Sequence, residues 1–164
     1  MKHVTIALIC SAALAWPLVT HAAGGGGGSE ADSASARSRD PEYAAGMAAV
    51  ARKDWPQVVD RMGSYVKRKP DDADGWNELG HAYRQTGRME PALDAYGKAL
   101  AINPNHRGVH EYLGEAYLQM GDLARAEQEL KVLDKLCVFS CEEYRDLKRS
   151  VADYKKKSVT GSAK

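Results

Sequence analysis

The chain has 164 residues, with 23 Lys and Arg against 22 Asp and Glu, a formal net charge of +1. That balance leaves no excess of positive charge to neutralise phosphates, which argues against a nucleic-acid-binding function. An apolar share of 44% and a charged share of 27% are ordinary for a folded domain.

In chain order, Met1-Lys2-His3 is followed by an apolar run from Val4 to Val19 and then by the small-residue site Thr20-His21-Ala22. A basic start, an apolar stretch and a small-residue end predict a secretory signal over residues 1–22 that is removed in the mature protein. The run is shorter than the ~20 residues of a spanning helix and is broken by Pro17, so no membrane anchor is expected after cleavage. Lipid attachment at Cys10 is disfavoured by the bulky Ile9 before it. The expected location is the bacterial periplasm or the exterior. Removing the signal takes away Lys2 and no acid, leaving a mature chain of zero net charge.

Residues 23–39, AGGGGGSEADSASARSR, contain almost no large apolar side chain to offset the entropy of ordering a backbone. They predict a flexible Gly/Ser-rich leader. From Asp40 the pattern turns helical, and its breaks recur: Pro70 and Pro104 are 34 positions apart, as are Gly46, Gly80 and Gly114, and Gly87 and Gly121. The period divides residues 40–140 into blocks ending at 72, 106 and 140, each the length of one helical hairpin. In the middle block, 73–106, small Gly80, Ala92 and Ala99 let two helices approach, while Trp76, Leu79, Tyr83 and Tyr96 fill the space around them. Gly87 can end the first helix in a left-handed conformation, and Pro104 cannot continue the second.

This set, Trp76, Leu79, Gly80, Tyr83, Ala92, Tyr96, Ala99 and Pro104 in a 34-residue frame, resembles the tetratricopeptide repeat. The resemblance implies an all-α fold: a right-handed α-solenoid of three helical hairpins, 39–72, 73–106 and 107–140. The third block keeps Leu113, Gly114, Tyr117 and Ala126, has His110 where the middle block has Trp76, and puts Val138 where a proline would stand. Asp122 after Gly121 is an N-cap candidate. The first block fits less well, with Tyr65 in place of small Ala99.

Beyond the blocks, Ser140-Cys141-Glu142-Glu143 has the form of a capping box, and Tyr144, Leu147, Val151 and Tyr154 make one apolar stripe. They predict a capping helix over 141–157 and a disordered tail over 158–164. Gly63 and Gly97 fall inside predicted helices, where each costs about 1 kcal/mol relative to Ala unless a close contact requires it. Such a contact with a neighbouring helix is expected at Gly97.

Cys137 and Cys141 flank a turn, which allows a disulfide that two cysteines four apart on one continuous helix could not easily make. In an oxidising compartment that pairing is the first reading. The alternative is a periplasmic copper or thiol-redox carrier built on this Cys-x-x-x-Cys pair, since thiolates favour Cu(I). No His or Met lies close in sequence to complete a metal site, and His106 and His110 read as turn and packing positions. No metal or other cofactor is expected. Gly-x-Ser-x-Gly, phosphate-loop and His-Glu-x-x-His patterns are absent, so no catalytic residue is assigned and the chain is not expected to be an enzyme.

The resemblance implies a concave groove lined by the first helix of each hairpin. By position it selects Tyr43, Met47 and Val50 in the first block, Asn77, His81, Arg84 and Gln85 in the second, and Glu111, Glu115, Leu118 and Gln119 in the third. Some family members clamp a C-terminal carboxylate with Lys and Asn. Here no Lys stands in the groove, and Glu111 and Glu115 would repel one. The expected partner is a protein or peptide segment, held at Tyr43, Met47 and Val50 by apolar contact and at Glu111 and Glu115 through a Lys or Arg. The implied function is a non-enzymatic interaction scaffold or adaptor of the bacterial cell envelope.

Overall fold

The computed structural model describes residues 30–161, with side chains from 34 to 158. The expected signal at 1–22 and the glycine run after it lie outside the described residues. The described residues form eight helices and no strand: α1 (Glu30–Arg39), α2 (Pro41–Ala51), α3 (Trp55–Arg68), α4 (Ala73–Gln85), α5 (Met89–Ile102), α6 (Arg107–Gln119), α7 (Leu123–Leu136) and α8 (Glu142–Gly161). None of these helices is long and apolar enough to cross a membrane.

Helices α2 and α3, α4 and α5, and α6 and α7 pair as hairpins, and α8 lies on α6 and α7. The core is divided among the joints of this solenoid. Ala49, Val58, Met62 and Tyr65 pack with Leu79 of the following hairpin, while Ala92, Tyr96 and Ala99 pack with Val109 and Leu113. Ala126 and Leu133 close on Leu147 and Val151 of α8. Each hairpin therefore buries its apolar face against the next unit, which is why a single hairpin would not be stable alone.

Helix starts follow the local chemistry. The Asp40, Asp54, Asp72 and Asp122 carboxylates accept backbone N–H bonds at the N-termini of α2, α3, α4 and α7. His106 does the same for α6 through Nδ1, 3.2 Å from the Val109 nitrogen. Gly87 and Gly121 take φ of 76° and 81°, and Lys53, 34 residues before Gly87, takes φ 57° without a glycine's freedom.

The small-meets-large pattern holds at Gly80, where an added Cβ would stand 2.6 Å from the Tyr96 ring. In the first hairpin the exchange is reversed: Tyr65 occupies the place of Ala99, and Gly75 makes room for its ring. His110 reproduces a contact of the residue it replaces. Trp76 Nε1 donates to the Pro70 carbonyl at 2.9 Å, and His110 Nε2 bonds the Pro104 carbonyl at 3.0 Å.

His110 Nδ1 also lies 2.7 Å from Glu129, so both ring nitrogens face acceptors and both must carry protons. Burial opposes that charge, but the Glu129 and Pro104 bonds outweigh it and raise the imidazole above its ordinary value. A raised folded-state value means that His110 stabilises fully below about pH 6.5 and that this stabilisation is lost as pH rises through the folded value. Glu111, discussed below, acts in the same direction, so the comparison must be made against a variant. Urea unfolding from pH 6 to 9 is expected to show a smaller loss of stability in His110→Gln than in the wild type.

Four expectations are corrected. Residues 30–39, read as part of a flexible leader, form α1: Ala, Glu, Ser and Arg sustain a helix, and Arg37 anchors it at 2.6 Å from Asp74 and 3.6 Å from Asp72. Helix α8 runs to Gly161, past the expected end at 157. Ser140 does not cap it; the cap position falls on Cys141, whose carbonyl accepts from the Arg145 N–H, and Ser140 sits one residue too early at φ 69°. Finally, a Cβ at Gly97 or Gly63 would meet nothing within 4 Å. Neither glycine is required by a neighbour within its continuous helix, and thermal unfolding of Gly97→Ala or Gly63→Ala is expected to show a gain of about 0.5–1 kcal/mol each.

Candidate functional site

The eleven groove residues lie on α2, α4 and α6, but the structure uses several of them internally. Tyr43 is half-buried with its ring edge-on to Tyr65 at 5.0 Å, and Val50 packs on the first core cluster. Of the three expected apolar anchors, only Met47 is exposed. Leu118 likewise leans on the third core cluster, whereas Gln85 and Gln119 are exposed.

The largest departure concerns Arg84 and Glu115. Arg84 is 5% exposed, and its Nη2 lies 2.7 Å from Glu115 Oε2. Its guanidinium also stands 5.5 Å from the Tyr112 ring centroid. Glu115 thus neutralises a buried cation and is not free to receive one from a partner, as its position alone had suggested. Ser150 of α8 donates to the same carboxylate at 3.4 Å.

His81 is sandwiched between Trp55, 4.9 Å away, and Tyr112, 4.2 Å away. Its Nε2 accepts from the Gln85 amide at 3.1 Å. Trp55 and Tyr112 were not selected from the sequence, yet they line the wall that holds His81.

Beside this wall, residues of α4, α6 and α8 line an open cavity of about 350 Å³: Asn77, Gly108, Glu111, Tyr112, Glu142, Glu143 and Asp146. Asn77 is 5% exposed; its Nδ2 donates to Glu78 at 3.4 Å, and its Oδ1 has no donor. Burial, followed by the charges of Glu115, Asp146 and Glu143, pushes the Glu111 carboxyl up to about 7. Asp146 could have been found in the sequence: it stands 34 residues after Tyr112, which stands 34 after Glu78. Carrying the repeat frame one block further into the capping helix reveals it.

A second, larger cavity of about 820 Å³ adjoins the first through Gly108 and Glu143. Arg37 of α1 stands there against Asp72 and Asp74, and His106 Nε2 lies 2.9 Å from Asp74. Because His106 Nδ1 accepts from the backbone, the proton on Nε2 is the one donated to Asp74. The His106 bond, opposed by burial and helped by Arg37, holds the Asp74 carboxyl below its ordinary value.

Cys137 and Cys141 form a disulfide across the α7–α8 turn, with Cα atoms 5.5 Å apart. Among the described residues, no group of three His, Cys, Asp or Glu is arranged to hold a metal ion.

Residues 73–106 match one tetratricopeptide repeat family, and residues 92–150 match a second. The peroxisomal targeting signal receptor of Candida albicans is 30% identical over 91 residues, 56% of this chain but only 15% of that receptor. Among solved structures, the Yersinia enterocolitica type III secretion translocator chaperone SycD superposes with a TM-score of 0.64 at 17% identity, over 71% of this chain and 83% of that one. PcrH in complex with the chaperone binding region of PopD gives 0.61 at 20% identity, over 82% and 97%. At these identities the likeness establishes a shared fold.

Proposed function

We propose that this chain, which is a tetratricopeptide-repeat protein, is a non-catalytic adaptor that holds a segment of a partner protein against the inner faces of α2, α4 and α6. The observation that carries this reading is a helical face that the core does not consume, where Met47, Gln85 and Gln119 are exposed and Glu111 lines an open cavity. Helix faces of this kind recognise extended or helical peptides by apolar and polar contacts together. The similarity of PcrH, solved in complex with the chaperone binding region of PopD, supports a segment of another protein as the partner.

The adaptor works in the bacterial cell envelope, in the periplasm or outside the cell. The support is the signal pattern of residues 1–22 together with a cysteine pair suited to an oxidising compartment. An intact mass beginning at Ala23 in the periplasmic fraction would establish the location; retention of residues 1–22 would refute it. For binding, a photo-crosslinking amino acid at Gln85 is expected to capture a defined partner that the same group at Gln128, exposed on α7, does not. Equal capture from both positions would sink the groove assignment.

A further inference from the structure

We propose that α1 is an autoinhibitory strap, clasped to α4 by Arg37, which closes one end of the inner groove until a partner segment displaces it. This inference rests on the adaptor reading and adds the regulation of that same groove.

Burial does not hold α1 in place. Its only apolar side chains are Ala31, Ala34 and Ala36, and it has ten residues, whereas an isolated helix in water needs about 12–15. Its helical form therefore depends on what it docks against. Among its side chains from 34 to 39, only Arg37 is withdrawn from water, 20% exposed and paired with Asp74 at 2.6 Å and Asp72 at 3.6 Å. Ala34 and Ala36 line the cavity of about 820 Å³, together with Asn105, His106 and Glu143. Apart from Arg37, this side of the helix bounds open space and not core.

The joint that follows α1 is fixed independently of it. The Asp40 carboxylate accepts from the Glu42 and Tyr43 N–H groups and pairs with Arg68 of α3 at 3.0 Å, so α2 keeps its start whether α1 is docked or released. Arg39 is spent within α1, its Nε donating to the Ser35 carbonyl at 3.0 Å. A single clasp on a short helix beside a fixed joint makes a two-state element. The Asp74 side chain is 37% exposed, and an ion pair this open to water is weak enough for a partner to break.

The clasp lies at the edge of the groove. Asp74 stands on α4 one turn before the groove residue Asn77. The phenol of Tyr43, the groove residue nearest the start of α2, is pushed up to about 12 by burial and then by Asp74 and Glu78, and the Arg37 guanidinium opposes that rise. Arg37 is thus close to groove residues of both α2 and α4. The cavity beside α1 also joins the one lined by Asn77 and Glu111, through Gly108 and Glu143. A segment running out of the groove to this edge meets α1, and its apparent affinity falls with the fraction of chains in which the strap is closed.

The test compares the full chain with two variants of equal charge, Arg37→Gln and Arg39→Gln, by amide hydrogen exchange and backbone NMR. In Arg37→Gln the amides of residues 34–39 are expected to exchange at least about tenfold faster, and their helical Cα shifts to fall by about half, with α2 to α8 unchanged. Arg39→Gln removes the same charge from the same last turn and is expected to leave α1 as in the wild type. Protection retained in Arg37→Gln, or lost equally in both variants, would overturn the clasp. With a photo-crosslinking group at Gln85, capture of the partner is expected to rise about threefold or more in Arg37→Gln and to stay unchanged in Arg39→Gln. Release of α1 with unchanged capture would overturn the inhibition and leave the adaptor reading standing. Equal capture from Gln85 and Gln128 would sink the adaptor reading, and the regulation with it, whatever α1 does.

Discussion

Glu115→Lys is expected to lower the unfolding free energy by about 3–5 kcal/mol in urea denaturation, because it turns the partner of a buried cation into a second cation. The magnitude follows from the asymmetry of the pair. The Arg84 side chain is 4% exposed, so its charge has no water to fall back on when the carboxylate 2.7 Å away is lost, whereas the Glu115 side chain is 25% exposed. Removing the other partner should therefore cost far less: Arg84→Met leaves a carboxylate that reaches solvent and fills the same space with apolar atoms. If Glu115→Lys proved no worse than Arg84→Met, the buried ion pair would not be a structural element. A charge reversal at Glu115 made to test partner electrostatics would report on folding, and Glu111 is the acid whose replacement reports on binding.

Leu147→Ala is expected to cost about 2–5 kcal/mol, the range for deleting a fully buried leucine. Leu147 is 0% exposed and is the main side chain that α8 sends inward, lying with Ala126, Leu133 and Val151. Its methyl groups stand where a Cβ of Gly114 would be, 2.5 Å from the nearest carbon, so α6 and α8 meet almost backbone to side chain. The cavity left by alanine cannot be filled from Gly114, which has no side chain to offer. Hydrogen exchange should localise the loss, with α8 and α7 losing protection before α4 and α5. Uniform loss of protection across the chain would mean that the cap and the first two hairpins unfold as one unit. The cleft at Glu111 should fail with α8 in either case, because Asp146, Glu142 and Glu143 all belong to it.

Much of the groove was legible as position and little of it as availability. The 34-residue frame put Asn77, Arg84, Glu111 and Glu115 on the first helices of their hairpins, and the structure places them there. Which of them face a partner depended on neighbours the frame does not encode. Arg84 and Glu115 are 31 residues apart and found each other across two helices, removing both from the surface available to a ligand. Tyr43 and Val50 read as apolar anchors, but Tyr43 packs edge-on against Tyr65 and Val50 packs on the first core cluster. Gly97 failed for a related reason: a glycine inside a helix looks the same in sequence whether a neighbour presses on it, as Tyr96 does on Gly80, or nothing does.

The sequence by itself determined the hairpins, their phase and their joints, because these depend on interactions within about one repeat. Aspartate caps, the left-handed glycines at 87 and 121 and the alternation of small and large side chains are local signals, and the 34-residue period copies them along the chain. Only the tertiary structure decided that α1 is held on the edge by Arg37, that Glu115 serves Arg84, and that Asn77, Glu111 and Asp146 share one cleft. Each of these joins residues from different hairpins, or from α1 or α8, which lie outside the three hairpins. Their energies depend on how far the joined groups are withdrawn from water. Burial of that kind is a property of the assembled stack, and no spacing of residues along the chain expresses it.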